Sequence, residues 1–291
     1  MPTNFAFVKK QQIILVSAGF TILVLLFFFG QTTPPPKAKT ISQPATEAAG
    51  AVMPVMSTDE VIAKAKKPLA QQQVTRLLAL ENGVVRGDVK AQQIEVYKEL
   101  AKFWGDTAQQ PAISAFYIGE AAKLENSEKN LTFAAHLLLD RVMAEDDAAL
   151  QTWEGTQAKA LFERSLQLNP SNDSSKVGLG ACYMFANISP SPMQGIMAIR
   201  QVAESNPNNM YAQMMLGMGG IKSGQYDKAI ERFLIVVKQQ PTNLEAVFNL
   251  AETYERKGDK PNAVKWYKAA QQLVGVPEAK TELEKRIKAL E

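Results

Sequence analysis

The eighteen residues LGMGGIKSGQYDKAIERF at 216–233 come back thirty-four positions later as LAETYERKGDKPNAVKWY at 250–267. Leu216 returns as Leu250, Gly217 as Ala251, Gly224 as Gly258, Ala229 as Ala263 and Phe233 as Tyr267. Each copy reads as two short helices joined at a glycine turn, and neither helix carries enough apolar side chains to close a core. Self-similarity at this period means stacked units, in which each buries its neighbour's apolar face and at least three are needed for stability. The repeated positions divide the labour. Small residues such as Gly217 and Ala229 let helices approach, while Phe233 and Tyr267 fill the space between units. A large apolar side chain contributes roughly 1.5–3 kcal/mol when fully buried.

These marks resemble the tetratricopeptide repeat, a helix-turn-helix unit with a large-small pair on its first helix and alanine, aromatic and proline marks on its second. One unit carries Leu216, Gly217, Gly224, Ala229, Phe233 and Pro241, and the next Leu250, Ala251, Tyr254, Gly258, Ala263, Tyr267 and Ala270. An earlier unit has Leu179, Gly180 and Tyr183, then Gly195 and Ile199, with its turn lengthened by NISPSP at 187–192. Upstream, LTFAAHLLLDRVMA pairs with AKALFERSLQLNP, which carries Ala158, Phe162 and Pro170, across a loop at EDDAALQ. IEVYKELAKFWGD and AISAFYIGEAAKL give a further pair, with Leu100, Trp104, Phe116 and Ala121 in repeat-like places. The expectation is about five units over 90–275, preceded by helices at 57–89 and closed by a capping helix at 276–291 that aligns Leu283, Ile287 and Leu290. Ser57 and Glu60 have capping-box spacing at the first of these helices. Pro68 ends or kinks that helix, and Asn82-Gly83 is expected to end the next.

The resemblance implies an all-α, right-handed superhelix whose inner surface is lined by the first helices and holds peptides or partner helices. The inward positions carried over from the family fall on Val177, Ala181, Met184 and Phe185, then Tyr211, Met214, Met218 and Ile221, then Glu245, Phe248, Asn249, Glu252 and Arg256. The implied groove is apolar in its middle and acidic toward its C-terminal end. The family's clamp for a peptide carboxylate needs basic and amide side chains at several inward positions of neighbouring first helices, where this sequence offers mainly methionine, Val177, Phe185 and acids, so an apolar or mixed-charge ligand fits better. Seven of the eleven methionines lie between Met184 and Met218. Flexible thioethers suit an adaptable binding surface, but Met193, Met197, Met210 and Met215 read first as core filler. A thioether site for Cu(I) at Met210, Met214, Met215 and Met218 is the weakest of the three readings, because stripes at helical spacing usually pack.

Before the repeats, residues 13–30 are uncharged and apolar. At about 1.5 Å per residue they reach roughly 27 Å, near the thickness of a hydrocarbon core. This predicts one transmembrane anchor rather than a cleaved leader, since Phe28 precedes Gly30 where cleavage wants a small residue. Residues 1–12 would form a cytosolic tail, and the proline- and alanine-rich 31–56 a flexible tether. Lys9 and Lys10 give a slight bias for a cytoplasmic N-terminus and a periplasmic repeat domain in an inner membrane.

Chemistry-bearing residues are scarce. One histidine, His136, sits among apolar residues, and one cysteine, Cys182, lies inside a helix. Neither has partners for a metal site or a catalytic set, and no phosphate loop, nucleophile elbow or HExxH helix occurs. The sequons at Asn130, Asn172 and Asn187 carry no weight. A net charge of +3 from 32 basic and 29 acidic residues does not point to nucleic acid. The expected function is a noncatalytic, membrane-anchored scaffold or assembly factor for other proteins, without cofactor or metal. The alternatives are a permanent accessory subunit of a membrane enzyme complex and a cytosol-facing protein resembling import receptors.

Overall fold

A computed structural model describes residues 56–291 apart from 87, 88 and 190. The expected tail, the anchor at 13–30 and all but the last residue of the tether lie outside the described residues. Among those described, no helix is long and apolar enough to cross a membrane.

The described chain is helical throughout: α1 (Thr58–Lys66), α2 (Gln71–Arg86), α3 (Lys90–Lys102), α4 (Pro111–Glu125), α5 (Glu128–Ala144), α6 (Ala148–Leu168), α7 (Asp173–Phe185), α8 (Met193–Ser205), α9 (Met210–Lys222), α10 (Tyr226–Gln239), α11 (Leu244–Lys257), α12 (Lys260–Leu273) and α13 (Pro277–Leu290). Five hairpins follow from α3 onward: α3 with α4, α5 with α6, α7 with α8, α9 with α10, and α11 with α12. Each second helix also packs on the next hairpin, and the first helices α5, α7, α9 and α11 touch one another in succession. Most contacts between helix backbones stay between neighbours, as stacking requires.

Local chemistry fixes the starts of these helices. Ser57 and Glu60 form the expected box, the Ser57 amide donating to Glu60 Oε2 at 2.8 Å and the Glu60 amide to Ser57 Oγ at 3.2 Å. The last three first helices, α7, α9 and α11, share one device. Asn172, Asn209 and Asn243 accept from the amides of Ser175, Ala212 and Ala246, which satisfies an otherwise orphaned donor at each start. Gly224 and Gly258 take positive φ, 71° and 86°, at the turns between first and second helices. That conformation is nearly free for glycine and strained for other residues.

The repeat marks pack as expected. Gly180, Gly217, Ala229, Phe233, Leu250, Ala251, Ala263 and Tyr267 are buried, and Leu179 and Leu216 are half-buried against the core. A methyl group on Gly217 would lie 2.6 Å from Phe233 Cε1. At α7 and α8 the backbones themselves approach, so that a Cβ on Gly195 would meet the Gly180 carbonyl oxygen at 2.2 Å. One apolar core runs from α4 to α11, flanked by an N-terminal cluster around Trp104 and Trp153 and a C-terminal one where Leu283 and Ile287 of α13 cover Tyr267 and Ala270.

Three expectations are corrected. Asn82-Gly83 does not end a helix: α2 continues to Arg86, because Gly83 lies against Val96 of α3, where a Cβ would sit 3.3 Å from its methyl group. The stretch EDDAALQ is mostly helix, since Asp147 caps α6 by accepting from Ala149 and Leu150, which leaves a connection of only three residues, 145–147. Met193 and Met197 are exposed rather than core filler, because they lie on the outer side of α8 while Ile199 and Val202 face inward. Sequence reading also missed a π turn at Phe103–Thr107 that continues α3 and buries both Phe103 and Trp104.

Candidate binding groove

Which side of the stack is concave follows from side chains two hairpins apart. His136 on α5 meets Tyr211 on α9 across α7, their rings 5.2 Å apart and edge to face. Contact between alternate first helices requires this face to be the inner side of the curve. The same histidine is tied to α7, with Nε2 2.8 Å from Ser174 Oγ, while Tyr211 Oη lies 3.5 Å from Nδ1. Burial lowers the His136 pKa against the opposing pull of Asp140, so the imidazole is held neutral. A serine beside a neutral histidine resembles half of a nucleophilic site. A working site also needs a group that orients the base and donors for the developing oxyanion. Here the remaining nitrogen faces a phenol that burial and nearby acids hold protonated, and the three side chains act as a packed network between helices.

Beside this network the inner face opens into a hollow of about 480 Å3, walled by Asp140 and Met143 from α5, Met210, Tyr211 and Met214 from α9, and Glu245 from α11. Its floor is thioether and aromatic. Asp140 and Glu245 are exposed at its walls, and neither has a hydrogen-bond or ion-pair partner among the described residues. Desolvation and the Asp140 charge raise the Glu245 pKa.

The residues expected in one groove divide among several places. Tyr211 and Met214 line the hollow just described. Met184 lies at a second, of about 450 Å3, with Ile196, Leu216 and Gly219. Phe248 borders a third, of about 660 Å3, with Leu244, Val274 and Leu283 against α13. Phe185 is half-buried beneath Lys222, whose Nζ lies 5.4 Å from its ring centroid and donates to the Met184 carbonyl at 2.8 Å. Met218 and Ile221 are half-buried against the central core. Asn249 is half-buried, and Glu252 is paired with Arg256 at 2.7 Å. Val177 is fully buried and so cannot line a groove: it belongs to the interior, as does Ala181. Asp140 and Ser174 were not legible as inner-face residues, since the inward positions carried over from the family begin at Val177.

The other chemistry-bearing side chain is closed off. Cys182 is buried, and desolvation pushes its thiol up to about 12. Among the described residues no group of three or more histidine, cysteine, aspartate or glutamate side chains could hold a metal ion.

Residues 221–275 match the family model of the tetratricopeptide repeat. Over 117 residues the chain is 32% identical to the CTR9 homolog of Arabidopsis thaliana, which covers 39% of this chain and 11% of that protein. The chain spans 11% and 28% of the lengths of two curated relatives it matches. Among solved structures, YrrB, described as a tetratricopeptide-repeat protein with an unusual peptide-binding site, is 18% identical with a TM-score of 0.40, the match covering 68% of this chain and 98% of that one. PilW, described as a type IV pilus biogenesis factor, is 18% identical with a TM-score of 0.45, the match covering 67% of this chain and 92% of that one.

Proposed function

Since this chain is a tetratricopeptide-repeat protein, we propose that it is a noncatalytic scaffold or assembly factor that presents its inner face to segments of other proteins. The observation that carries this reading is the hollow on the inner face, where two exposed acids without partners among the described residues stand beside a floor of thioether and ring. Exposed carboxylates beside a thioether and aromatic floor leave both charged and apolar contacts open to a partner segment.

The apolar, uncharged 13–30 and the proline-rich tether support a further part of the proposal. The scaffold is held at an inner membrane by one N-terminal helix, with a cytoplasmic N-terminus and the repeats in the periplasm. The rival placement, repeats in the cytosol, separates cleanly by labelling cysteines introduced at Thr40 and Ala45 in the tether with an impermeant maleimide on intact cells. Labelling supports the periplasmic side; protection until the cells are opened supports the cytosolic one.

For the binding role, the intact chain would be cross-linked in its native host beside a Tyr211→Ala variant and purified in mild detergent. A defined companion recovered with the parent and lost with the variant is the expected result. The same companions with both would place the binding surface elsewhere.

A further inference from the structure

The hollow on the inner face has a chemistry narrower than a general protein groove. Asp140 stands on α5 and Glu245 on α11, so the two carboxylates approach from hairpins that are not adjacent in sequence. Both act on the same phenol, Tyr211, and Asp140 acts on Glu245 as well, which places the three groups within electrostatic reach of one another. No lysine or arginine is among the groups that act on Asp140's neighbours Tyr211, His136 or Glu245. Some other acids of the stack are answered: Glu252 by Arg256, Asp173 by Lys176, Asp227 by Lys257. The two at the hollow have no such partner among the described residues. Between them lie Met210, Tyr211 and Met214, a surface of thioether and ring suited to the methylene stem of a long cationic side chain.

We infer that this hollow holds a lysine or arginine of an extended partner segment, its charge between Asp140 and Glu245 and its stem over Met210, Tyr211 and Met214. The inference rests on the inner face being the binding surface, and it names the chemistry of what binds there. Charge complementarity decides the class of occupant: an acidic or neutral segment would leave both carboxylates unanswered, and a purely apolar one would desolvate them without return. A volume of about 480 Å3 accommodates one long side chain with an apolar neighbour, so the expected signature is a basic residue beside an apolar one.

The test is a selection of phage-displayed random dodecapeptides on the intact chain in mild detergent, followed by anisotropy titration of the enriched peptides in fluorescein-labelled form. The inference expects lysine or arginine beside apolar residues in the enriched sequences. It further expects affinity to fall about tenfold on replacing that basic residue by glutamine, and by a similar factor for the Asp140→Asn, Glu245→Gln double variant, with weakening at high salt. Tyr211→Ala serves as the control on the groove itself. Enriched peptides without basic residues that lose affinity to Tyr211→Ala would overturn the cationic occupant and leave the groove standing. Enrichment that neither the double variant nor Tyr211→Ala disturbs, or no enrichment at all, would overturn both. Selected peptides displaced by a synthetic copy of residues 33–42, which carry Lys37 and Lys39, would reassign the occupant to this chain's own basic segment and overturn the partner.

Discussion

Glu154 offers a test of the packing account through pH. It lies on α6 with no exposed surface, and its Oε2 has no hydrogen-bond partner. Its other oxygen is 3.4 Å from Arg141 Nε, but the same guanidinium also donates to Glu145 at 3.1 Å, so its charge is shared. Burial therefore outweighs Arg141 and raises the Glu154 pKa from 4.5 to about 7. At ~1.4 kcal/mol per pKa unit this is about 3 kcal/mol of preference for the protonated form in the folded chain. The folded state binds a proton that the unfolded state has released between these two pKa values. Stability from this group is thus present below about 4.5, declines as pH rises toward 7, and is gone above it. Glu154→Gln keeps the volume and removes the titration. The variant should be more stable than the parent at pH 8 by about 2–3 kcal/mol, since the shift is already net of the Arg141 attraction. At pH 5 the two should be alike. Urea-induced loss of helical circular dichroism, followed for both proteins from pH 5 to 8, reads the difference directly. Parallel curves, or a variant weaker at pH 8, would refute the reasoning.

Other substitutions probe the stack. Gly217→Ala pushes a methyl group to 2.6 Å from Phe233 and should destabilise by about 1–3 kcal/mol in urea denaturation, as overpacking does. Gly258→Ala, at φ 86°, should cost about 1 kcal/mol, whereas Gly275→Ala meets nothing within 4 Å and should be neutral or slightly stabilising in the same assay. Cys182, buried with its thiol raised to about 12, should resist maleimide at pH 8 in the folded chain and react fully in urea, as intact-mass measurement would show.

What the sequence discloses about this fold is what is decided by short-range, repeated contacts. Gly217 against Phe233 and the turns at Gly224 and Gly258 recur because each unit solves the same packing problem, so α9 to α12 are legible from period alone. The helix-capping asparagines recur as well, at 172, 209 and 243, each two residues after a proline, and could have been found by the same comparison. Glycine misleads where its reason is tertiary: Gly83 looks like a stop and is a point of contact between α2 and α3. The site was less legible than the fold. Family positions placed Tyr211 and Met214 on the inner face, yet they gave Val177 to the groove although it is fully buried. They also missed Asp140, whose place depends on the curvature that brings α5 toward α9. Curvature is a sum of small rotations between units and leaves no mark at any one position.

The central claim, that partners are held on the inner face of the repeat stack, is tested most directly by position-specific photo-cross-linking in the native host. A benzoylphenylalanine would replace in turn Met210 and Asp140 at the hollow, and Met197 and Leu234, which are exposed outside it. The account predicts one discrete adduct, of the same mass, from both hollow positions and none of that mass from Met197 or Leu234. An adduct formed only from the outer positions, or equally from all four, would contradict it.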